Sequence, residues 1–474
     1  MINNKISKRI FVRGKLVTLS PLQIGSGDSD IIDVEILKDF LDKPFIPSTS
    51  ISGILRHLSM NSSLMKGTNG ENEILLKQFW GNHEYLQDKE ETISYTSCIT
   101  IDDLKIEDDY LIALRDNVEI DDESGVAKEN AQFNSEILEP GAIFSFQCEL
   151  ELREYHDSEF SEKLLYSLVE LLESGEVFLG AKSNNGFGQV KLEETQICLF
   201  DFFKKSDVRS WLKKEFNYTH FTSSTENTFD LVQEMNKKKM KVAVKFAVRS
   251  SILIKSYSVD MDIDAAHITS NGRPIIPASS IKGALRHRMN RIAKTINLDI
   301  KEDLDNLFGY VDIDNKLAKK GRFRVYENQL ENMEPAKQTR IKIDRFTGGT
   351  IDGALFNSEP LWNSNIGKQG EIKNREEETN VIINIEINKP NEDEGGILLL
   401  LLALKDMWSE DLPLGGEKSI GRGRLIGLEM EIRWDDIDLK IIRDNRKLTF
   451  VPNDEGAKKL NKKLSQLIAN KGGN

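Results

Sequence analysis

The sequence predicts an α+β protein made of two tandem copies of one compact unit. Three observations predict it. Three sequence blocks recur in the same order at nearly the same separation. Within the copies the hydrophobic period switches between two and helical spacing. Each copy closes on a glycine-rich loop that runs into a β-rich segment.

At 474 residues the chain is too long for one ordinary core and suits two domains. With 39% hydrophobic and 30% charged residues it reads as globular and charge-rich, not disordered. The longest apolar run, Ile397 to Leu404, is too short to span a bilayer, so no membrane association is expected. The first ten residues lack the apolar centre of a secretory signal, and the cytoplasm is the expected compartment. Cys98, Cys148 and Cys198 form no CxxC and have no nearby histidine pair. A disulfide framework and a structural zinc site are therefore not expected, and the thiols are expected in the core or in strands. The net charge of −13 argues against nucleic-acid binding by the whole surface and leaves room for a local basic track. Acid gathers at Asp102, Asp103, Glu107, Asp108 and Asp109, and again from Asp116 to Glu123. This is read either as a solvated face or as a docking surface for a basic partner.

The first repeated block is Pro47-Ser-Thr-Ser-Ile-Ser-Gly-Ile-Leu-Arg-His57, which returns as Pro277-Ala-Ser-Ser-Ile-Lys-Gly-Ala-Leu-Arg-His287 with seven of eleven positions identical. The second runs from Ile120-Asp121 to Phe133-Asn134-Ser135-Glu136, and returns from Ile343-Asp344 to Phe356-Asn357-Ser358-Glu359. The third is Gly180 to Gly188, returning as Gly415 to Gly423. Loop insertions between shared elements account for the small drifts in offset.

Each copy opens with a strand. Val242, Val244, Phe246 and Val248 alternate with Ala243, Lys245, Ala247 and Arg249, while Phe11 to Leu19 alternates less cleanly. A helix follows each proline block, with serines available to cap its first turn and Ile51, Leu55 and Leu58, or Ile281 and Leu285, at helical spacing. A second helix, Phe160 to Glu173 or Ile397 to Trp408, precedes each glycine loop. Strand, helix, strands, helix, strand is the order of a ferredoxin-like unit. The expected boundaries are 1–200 for the first domain, 201–240 for a connection, 241–435 for the second domain and 436–474 for a C-terminal extension. The tail from Asp454 is expected to fray after a short helix.

Glycine-rich loops cradle phosphates when backbone N–H groups approach without a Cβ in the way, and they also serve ordinary turns. Neither loop is a P-loop, and no dinucleotide fingerprint is present. The second loop holds Lys418, Arg422 and Arg424. The helix of the second copy carries Lys282, Arg286, His287, Arg288, Arg291 and Lys294, with Lys282, Arg286 and Met289 expected on one face. A basic helix start beside a glycine loop suits a single-stranded phosphate backbone. The first copy is poorer, with Arg56, His57, Lys66 and Lys182, and Ser52 in place of Lys282. Tighter RNA binding by the second domain is expected.

These blocks resemble the RAMP superfamily, in particular the fused, repeated backbone subunits of type III CRISPR effector complexes. The resemblance rests on Ile24-Gly25-Ser26-Gly27, Asp33, Phe45-Ile46-Pro47 through Arg56, and Gly180 through Gly188. It repeats with Asp264, Ile275-Ile276-Pro277 through Arg286, and Gly415 through Gly423. Arg115–Pro140 and Arg340–Leu361 resemble the family's thumb-like hairpin, most clearly at Asp-Arg-Phe-Thr-Gly-Gly, residues 344–349. Departures are Ser52 for lysine, Phe187 for a basic residue, and Ile254-Lys255-Ser256-Tyr257 where the first copy has its glycine turn.

The resemblance implies two tandem ferredoxin-like (RRM-like) domains, each with an inserted hairpin. It implies guide CRISPR RNA, a complementary target RNA and other complex subunits as partners. RNA contact then falls on Gly25, Ser50, Arg56, Lys182, Gly186 and Gly188 in the first copy. In the second it falls on Ser280, Lys282, Arg286, Lys418, Gly421, Arg422, Gly423 and Arg424. The implied activity is endoribonuclease cleavage of the target supported by Mg²⁺ or another divalent cation, with Asp33 and Asp264 as catalytic residues and metal ligands. Strand scission needs the 2′-OH aligned opposite the leaving oxygen, and a lone carboxylate can orient a cation or accept a proton. The hairpin's implied role is to splay the RNA into that alignment.

Asp33 lies fourteen positions before Pro47, Asp264 thirteen before Pro277, and Asp262 is the alternative in the second copy. A turn or cap role for such aspartates stays open. His57 and His287 are read as packing or phosphate contacts. A non-catalytic scaffold is a further reading, as is a metal-independent guide-processing endoribonuclease using His267.

Overall fold

The computed structural model describes residues 4–26, 33–62, 64, 71–85, 92–107, 109–121, 127–222, 227–256, 262–299, 301–312, 316–365, 378–390, 394–435, 437–444, 447–451 and 454–471. Gly27, Lys66, Asp108, Asp122, Glu123 and Tyr257, named above, lie outside them. The chain divides into two compact units. The first comprises residues 1–114, 134–183 and 187–237, and the second comprises 115–133, 184–186 and 238–474.

The sheet of the first unit has the strand order Val177–Phe178, Gln189–Asp201, Ile6–Thr18, Ile143–Arg153, Ile99–Ile101. Its pairings are antiparallel. Ile10, Val12 and Leu16 of the central strand are buried, as the period of two requires where one face packs on a core. Helix Ser48–Met60 supplies Ile51 and Leu55 to that core, and helix Ser158–Glu173 supplies Leu164, Leu165, Leu168 and Leu172. The Asp157 carboxylate accepts the N–H of Phe160 at 2.8 Å and caps this second helix.

The second unit repeats the arrangement. Its sheet runs Phe323–Val325, Val381–Asn388, Lys239–Val248, Leu425–Trp434, then Ile437–Asp444 and Lys447–Val451. With the two-residue strand Val177–Phe178 and the two C-terminal strands Ile437–Asp444 and Lys447–Val451 set aside, both sheets have the order second, third, first, fourth, counted along the chain, and a helix follows the first and third strands. Both are therefore ferredoxin-like units. Helix Glu394–Trp408, apolar on nearly every side, lies within the second core, where Ile397, Leu400, Leu404 and Met407 are fully buried.

Several expectations change. The serines do not cap the first helix of either copy. Pro47 and Pro277 occupy the N-cap position with φ of −60° and −61°, and neither helix has a side-chain cap of its own. In the first copy Asp103 Oδ1 accepts the Ser48 N–H at 2.7 Å instead. Met289 is fully buried, so it does not share the exposed face of Lys282 and Arg286. The connection read over 201–240 folds onto the first unit, through helix Lys205–Leu212, strand Thr219–His220 and buried Leu231. The tail does not fray early: helix Asp454–Lys471 is long, and Leu460 reaches the second core. The three cysteines are buried. Among the described residues no helix is long and apolar enough to cross a membrane.

Each copy carries an inserted hairpin, Ile112–Ile120 with Ala127–Leu138 and Gln338–Ile343 with Thr350–Glu359. In the second, the Asp344 carboxylate accepts N–H groups from Phe346 and Thr347, both at 2.8 Å. Gly348 supplies the left-handed φ of 70° that closes the turn. The result is a hydrogen-bonded turn with Phe346 100% exposed at the tip.

Candidate functional site

The two candidate aspartates occupy equivalent positions. Asn134 donates its backbone N–H to Asp33 Oδ2 at 2.7 Å, and Asn357 donates its N–H to Asp264 Oδ2 at 2.7 Å. The residues that follow pair in the same way, Val34 with Ser135 and Ala265 with Ser358, both parallel. Asp264, not Asp262, is thus the counterpart of Asp33. Asp262 offers its backbone carbonyl to the Asn357 amide at 2.9 Å. Both candidate carboxylates are exposed, and among the described residues each makes no other hydrogen bond. The sequence reading missed the asparagines, although the repeated Phe-Asn-Ser-Glu at 133–136 and 356–359 was in view.

No group of three His, Cys, Asp or Glu side chains able to hold a metal occurs among the described residues. Among the described residues, the carboxylate of Asp33 or Asp264 would serve as a single ligand to a hydrated hard cation, with water and phosphate oxygen supplying the rest.

The glycine loops behave differently from the expected phosphate cradle. The N–H groups of Ala181 and Gly188 bond to the carbonyls of Gln23 and Pro21 at 2.8 and 2.7 Å, and those of Gly416 and Gly423 to Leu253 and Ser251 at 2.7 and 2.8 Å. A Cβ on Gly188 would stand 1.8 Å from the Leu179 carbonyl oxygen, and one on Gly423 1.8 Å from that of Leu414. These glycines permit close backbone approach within the unit. Gly186, Gly188 and Gly423 are buried, so their assignment to RNA contact is corrected. Gly25 and Gly421 stay accessible.

Arg422 is also corrected. It is 3% exposed. Its guanidinium bonds to Glu417 Oε2 at 2.7 Å, Ser251 Oγ at 2.8 Å and Gln338 Oε1, with the Trp362 ring centroid 5.5 Å away. Its counterpart in the first copy is buried Phe187, and the counterpart of Glu417 is Lys182. Lys182 is half-buried, its ammonium 3.1 Å from Ser135 Oγ and 5.9 Å from the Phe187 centroid. Burial lowers its pKa. A cation beside an aromatic ring in one copy thus corresponds to a buried ion pair in the other.

Other cations remain open. Arg56, Lys282, Arg286, Lys418 and Arg424 are all solvent-accessible, and none pairs with a carboxylate among the described residues. Lys282 has its pKa lowered to about 8, by burial first and then by neighbouring Arg286. Arg288, by contrast, is committed to Asp406 Oδ2 at 2.6 Å. Beside Lys282 lies exposed Gly283, matched by Gly53 in the first copy. A Cβ at either would meet nothing within 4 Å. Both glycines stand in a helix interior, where alanine would be more stable, so nothing within the fold explains them. Ser50 and Ser280 sit half-buried in the first turns, their amides bonded to the carbonyls of Pro47 and Pro277 at 2.9 and 3.1 Å.

The sheet faces away from the cores do not offer an open base-stacking platform. In the first unit Phe11 packs against Phe216 at 5.0 Å, and Arg13 lies 3.7 Å from the Tyr218 ring, so the folded connection covers the sheet there. In the second the face carries ion pairs, such as Lys245 and Lys440 on Glu429 at 3.1 and 2.7 Å. His267 is 7% exposed. Its Nδ1 accepts the Ile254 N–H at 3.2 Å, and Nε2 lies 2.9 Å from the Ile275 carbonyl, which fixes the neutral Nε2–H tautomer. This removes the candidate histidine of the guide-processing reading. His57 is exposed and bonds to Asn61, so it does not pack in the core.

The sequence profile of the RAMP superfamily matches residues 15–191 and again 248–426. No curated protein matches the chain in sequence. The two matched regions coincide with the two copies of the ferredoxin-like unit and span most of the chain. A CRISPR-associated RNA-binding role comes with that membership. On fold, repeat and profile together, the chain belongs to the RAMP superfamily as a tandem, two-domain member.

Proposed function

We propose that this chain is a guide-RNA-binding backbone subunit of a type III RNA-guided interference complex, and that each copy cleaves the complementary target RNA. The observation that carries the RNA half is the set of open cations. In a chain of net charge −13, Lys282, Arg286, Lys418 and Arg424 have no carboxylate partner among the described residues. Lys282 and Arg286 flank a bare helix surface at Gly283. A phosphate backbone meets both features: it supplies the counter-charge, and it needs close approach.

For the chemistry, Asp33 and Asp264 are the groups of interest. Each has one oxygen fixed by an asparagine N–H and the other directed by that bond. Such a carboxylate can accept the proton of a 2′-hydroxyl or orient it. Mg²⁺ or a similar cation, held by Asp33 or Asp264 together with RNA phosphate and water, would stabilise negative charge on the scissile phosphate. Exposed Phe346 at the hairpin tip suits insertion between bases, which would bring the ribose toward the in-line geometry. The partners in this reading are guide RNA, target RNA and neighbouring subunits, in the cytoplasm.

The same hydrogen bonds also favour a second reading. A carboxylate that holds a backbone N–H is a structural cap, and both aspartates do this. The chain would then be a scaffold with the chemistry elsewhere. The deciding experiment uses guide-loaded complex, labelled complementary RNA and Mg²⁺. Asp33→Ala and Asp264→Ala are each expected to remove one distinct product with assembly intact. An unchanged product pattern in the double variant establishes the scaffold.

A further inference from the structure

The glycine loop in each copy is tied to the base of the inserted hairpin, and the hairpin base holds the candidate aspartate. In the first copy Lys182 reaches Ser135 Oγ at 3.1 Å, and the adjacent Asn134 holds Asp33 at 2.7 Å. In the second copy Glu417 takes Arg340 of the hairpin at 2.7 Å, Arg422 takes Gln338, and Asn357 holds Asp264 at 2.7 Å. Gln338 pairs with Ser358 and Arg340 with Phe356, so these contacts flank Asn357 on the facing strand.

The two copies differ at one telling atom. Ser135 Oγ meets the Lys182 ammonium, whereas Ser358 Oγ, at the matching position, is buried with no hydrogen-bond partner among the described residues. The lysine that would satisfy it is replaced by Glu417, which turns to two guanidiniums instead. The second copy therefore keeps the tie and leaves the serine behind. An unsatisfied buried hydroxyl costs free energy, and the second copy holds its hairpin base through Arg340 and Gln338 instead.

We infer that Lys182 in the first copy and the Glu417–Arg422 pair in the second are positioning residues, fixing the hairpin base and through it the orientation of Asp33 and Asp264. The effect on cleavage rests on the reading proposed above; the effect on the hairpin base does not. Lys182 and Arg422 thereby act inside the unit rather than on RNA phosphates.

The test uses the full chain carrying Lys182→Met, Lys182→Arg or Glu417→Gln. Hydrogen exchange is followed over residues 133–136 and 356–359, with helix Ser158–Glu173 as the reference for global unfolding. Lys182→Met is expected to raise exchange at 133–136 about tenfold, with the helix and 356–359 unchanged; Glu417→Gln does the converse. Lys182→Arg keeps a donor in reach and stays near wild type. In guide-loaded complex, Lys182→Met is expected to lower the Asp33-dependent product about 10- to 100-fold, leaving the other product and target affinity unchanged. Unchanged exchange at 133–136 in Lys182→Met overturns the inference. So does an equal loss of both products with weakened target binding, which would make Lys182 a phosphate contact. If Asp33→Ala leaves cleavage intact, the cleavage reading fails and the exchange result alone decides the tie.

Discussion

The backbone N–H of Asn357 is bonded to Asp264 Oδ2 at the same 2.7 Å that separates the N–H of Asn134 from Asp33 Oδ2. Two segments with little sequence in common, 33–36 and 264–266, are thereby held against their hairpins in one geometry. Each carboxylate binds a backbone N–H with one oxygen and, among the described residues, leaves the other without a hydrogen bond.

That division can be separated by choice of substitution. Asp33→Asn and Asp264→Asn retain an oxygen acceptor for the asparagine N–H and lose the charge. Stability is expected within about 0.5 kcal/mol of wild type, while the matching cleavage product disappears. Asp→Ala at either position also loses the bond and is expected to cost about 1 kcal/mol. Chemical denaturation and product mapping on the same preparations check both halves.

Gly53 and Gly283 give a prediction of opposite signs. Replacing either by alanine is expected to stabilise the free chain by about 0.5–1 kcal/mol, since a Cβ there meets nothing within 4 Å. The same change is expected to weaken guide-RNA binding at least several-fold, because the added methyl stands where the RNA must approach. Alanine that improves both stability and binding would remove the glycine from the interface.

Lys282 is expected to make RNA binding pH-dependent. Its pKa is lowered to about 8 in the free protein, chiefly by burial, and a phosphate beside it would raise that value again. Binding then takes up a proton above pH 8, so affinity is expected to fall as pH rises from about 7 to 9. Lys282→Gln is expected to bind more weakly and to flatten this profile. Fluorescence titrations across that range provide the measurement.

His267 sets an acid limit on the second unit. Burial lowers its pKa to about 4 from an ordinary 6.5, against the opposing pull of its backbone bonds. The unfolded chain binds the proton more readily, so stability is lost as pH falls from about 6.5 toward 4 and levels off below. The loss is on the order of 3 kcal/mol. Thermal melts of wild type and His267→Gln should differ in slope over that window. Target cleavage at pH 8 should survive the substitution.

The fold was legible in the sequence because its signals are local and doubled. The period of two in Val242–Val248, the helical spacing of Ile51 and Leu55, and the loop glycines each point to one structure, and each occurs twice. The role of the glycines was less legible. Gly188 and Gly423 are dictated by a carbonyl 1.8 Å from a would-be Cβ, and that carbonyl is defined only once the loop has closed on its neighbour. Burial of Arg422 was hidden for a related reason. A lone arginine in a glycine loop reads as exposed, and its acceptors Gln338, Ser251 and Glu417 come from three separated segments. The aspartates were singled out by resemblance to the family pattern, and which of Asp262 and Asp264 is the counterpart of Asp33 needed the strand register.

The contrast between Phe187 and Arg422 restricts how the two halves of this chain can trade sequence. Tandem duplications invite recombination between their halves, and most of the shared block could cross over without harm. A breakpoint between positions 182 and 187 could not. One product would place an arginine beside Lys182, burying two like charges; the reciprocal would set a phenylalanine beside Glu417 and strip one of its guanidiniums. Breaking a buried charge pair costs about 3–5 kcal/mol, a large share of a domain's stability. The glycine loop shared by the two copies is therefore a place where they are not interchangeable, and stable chimeras are expected to join outside it.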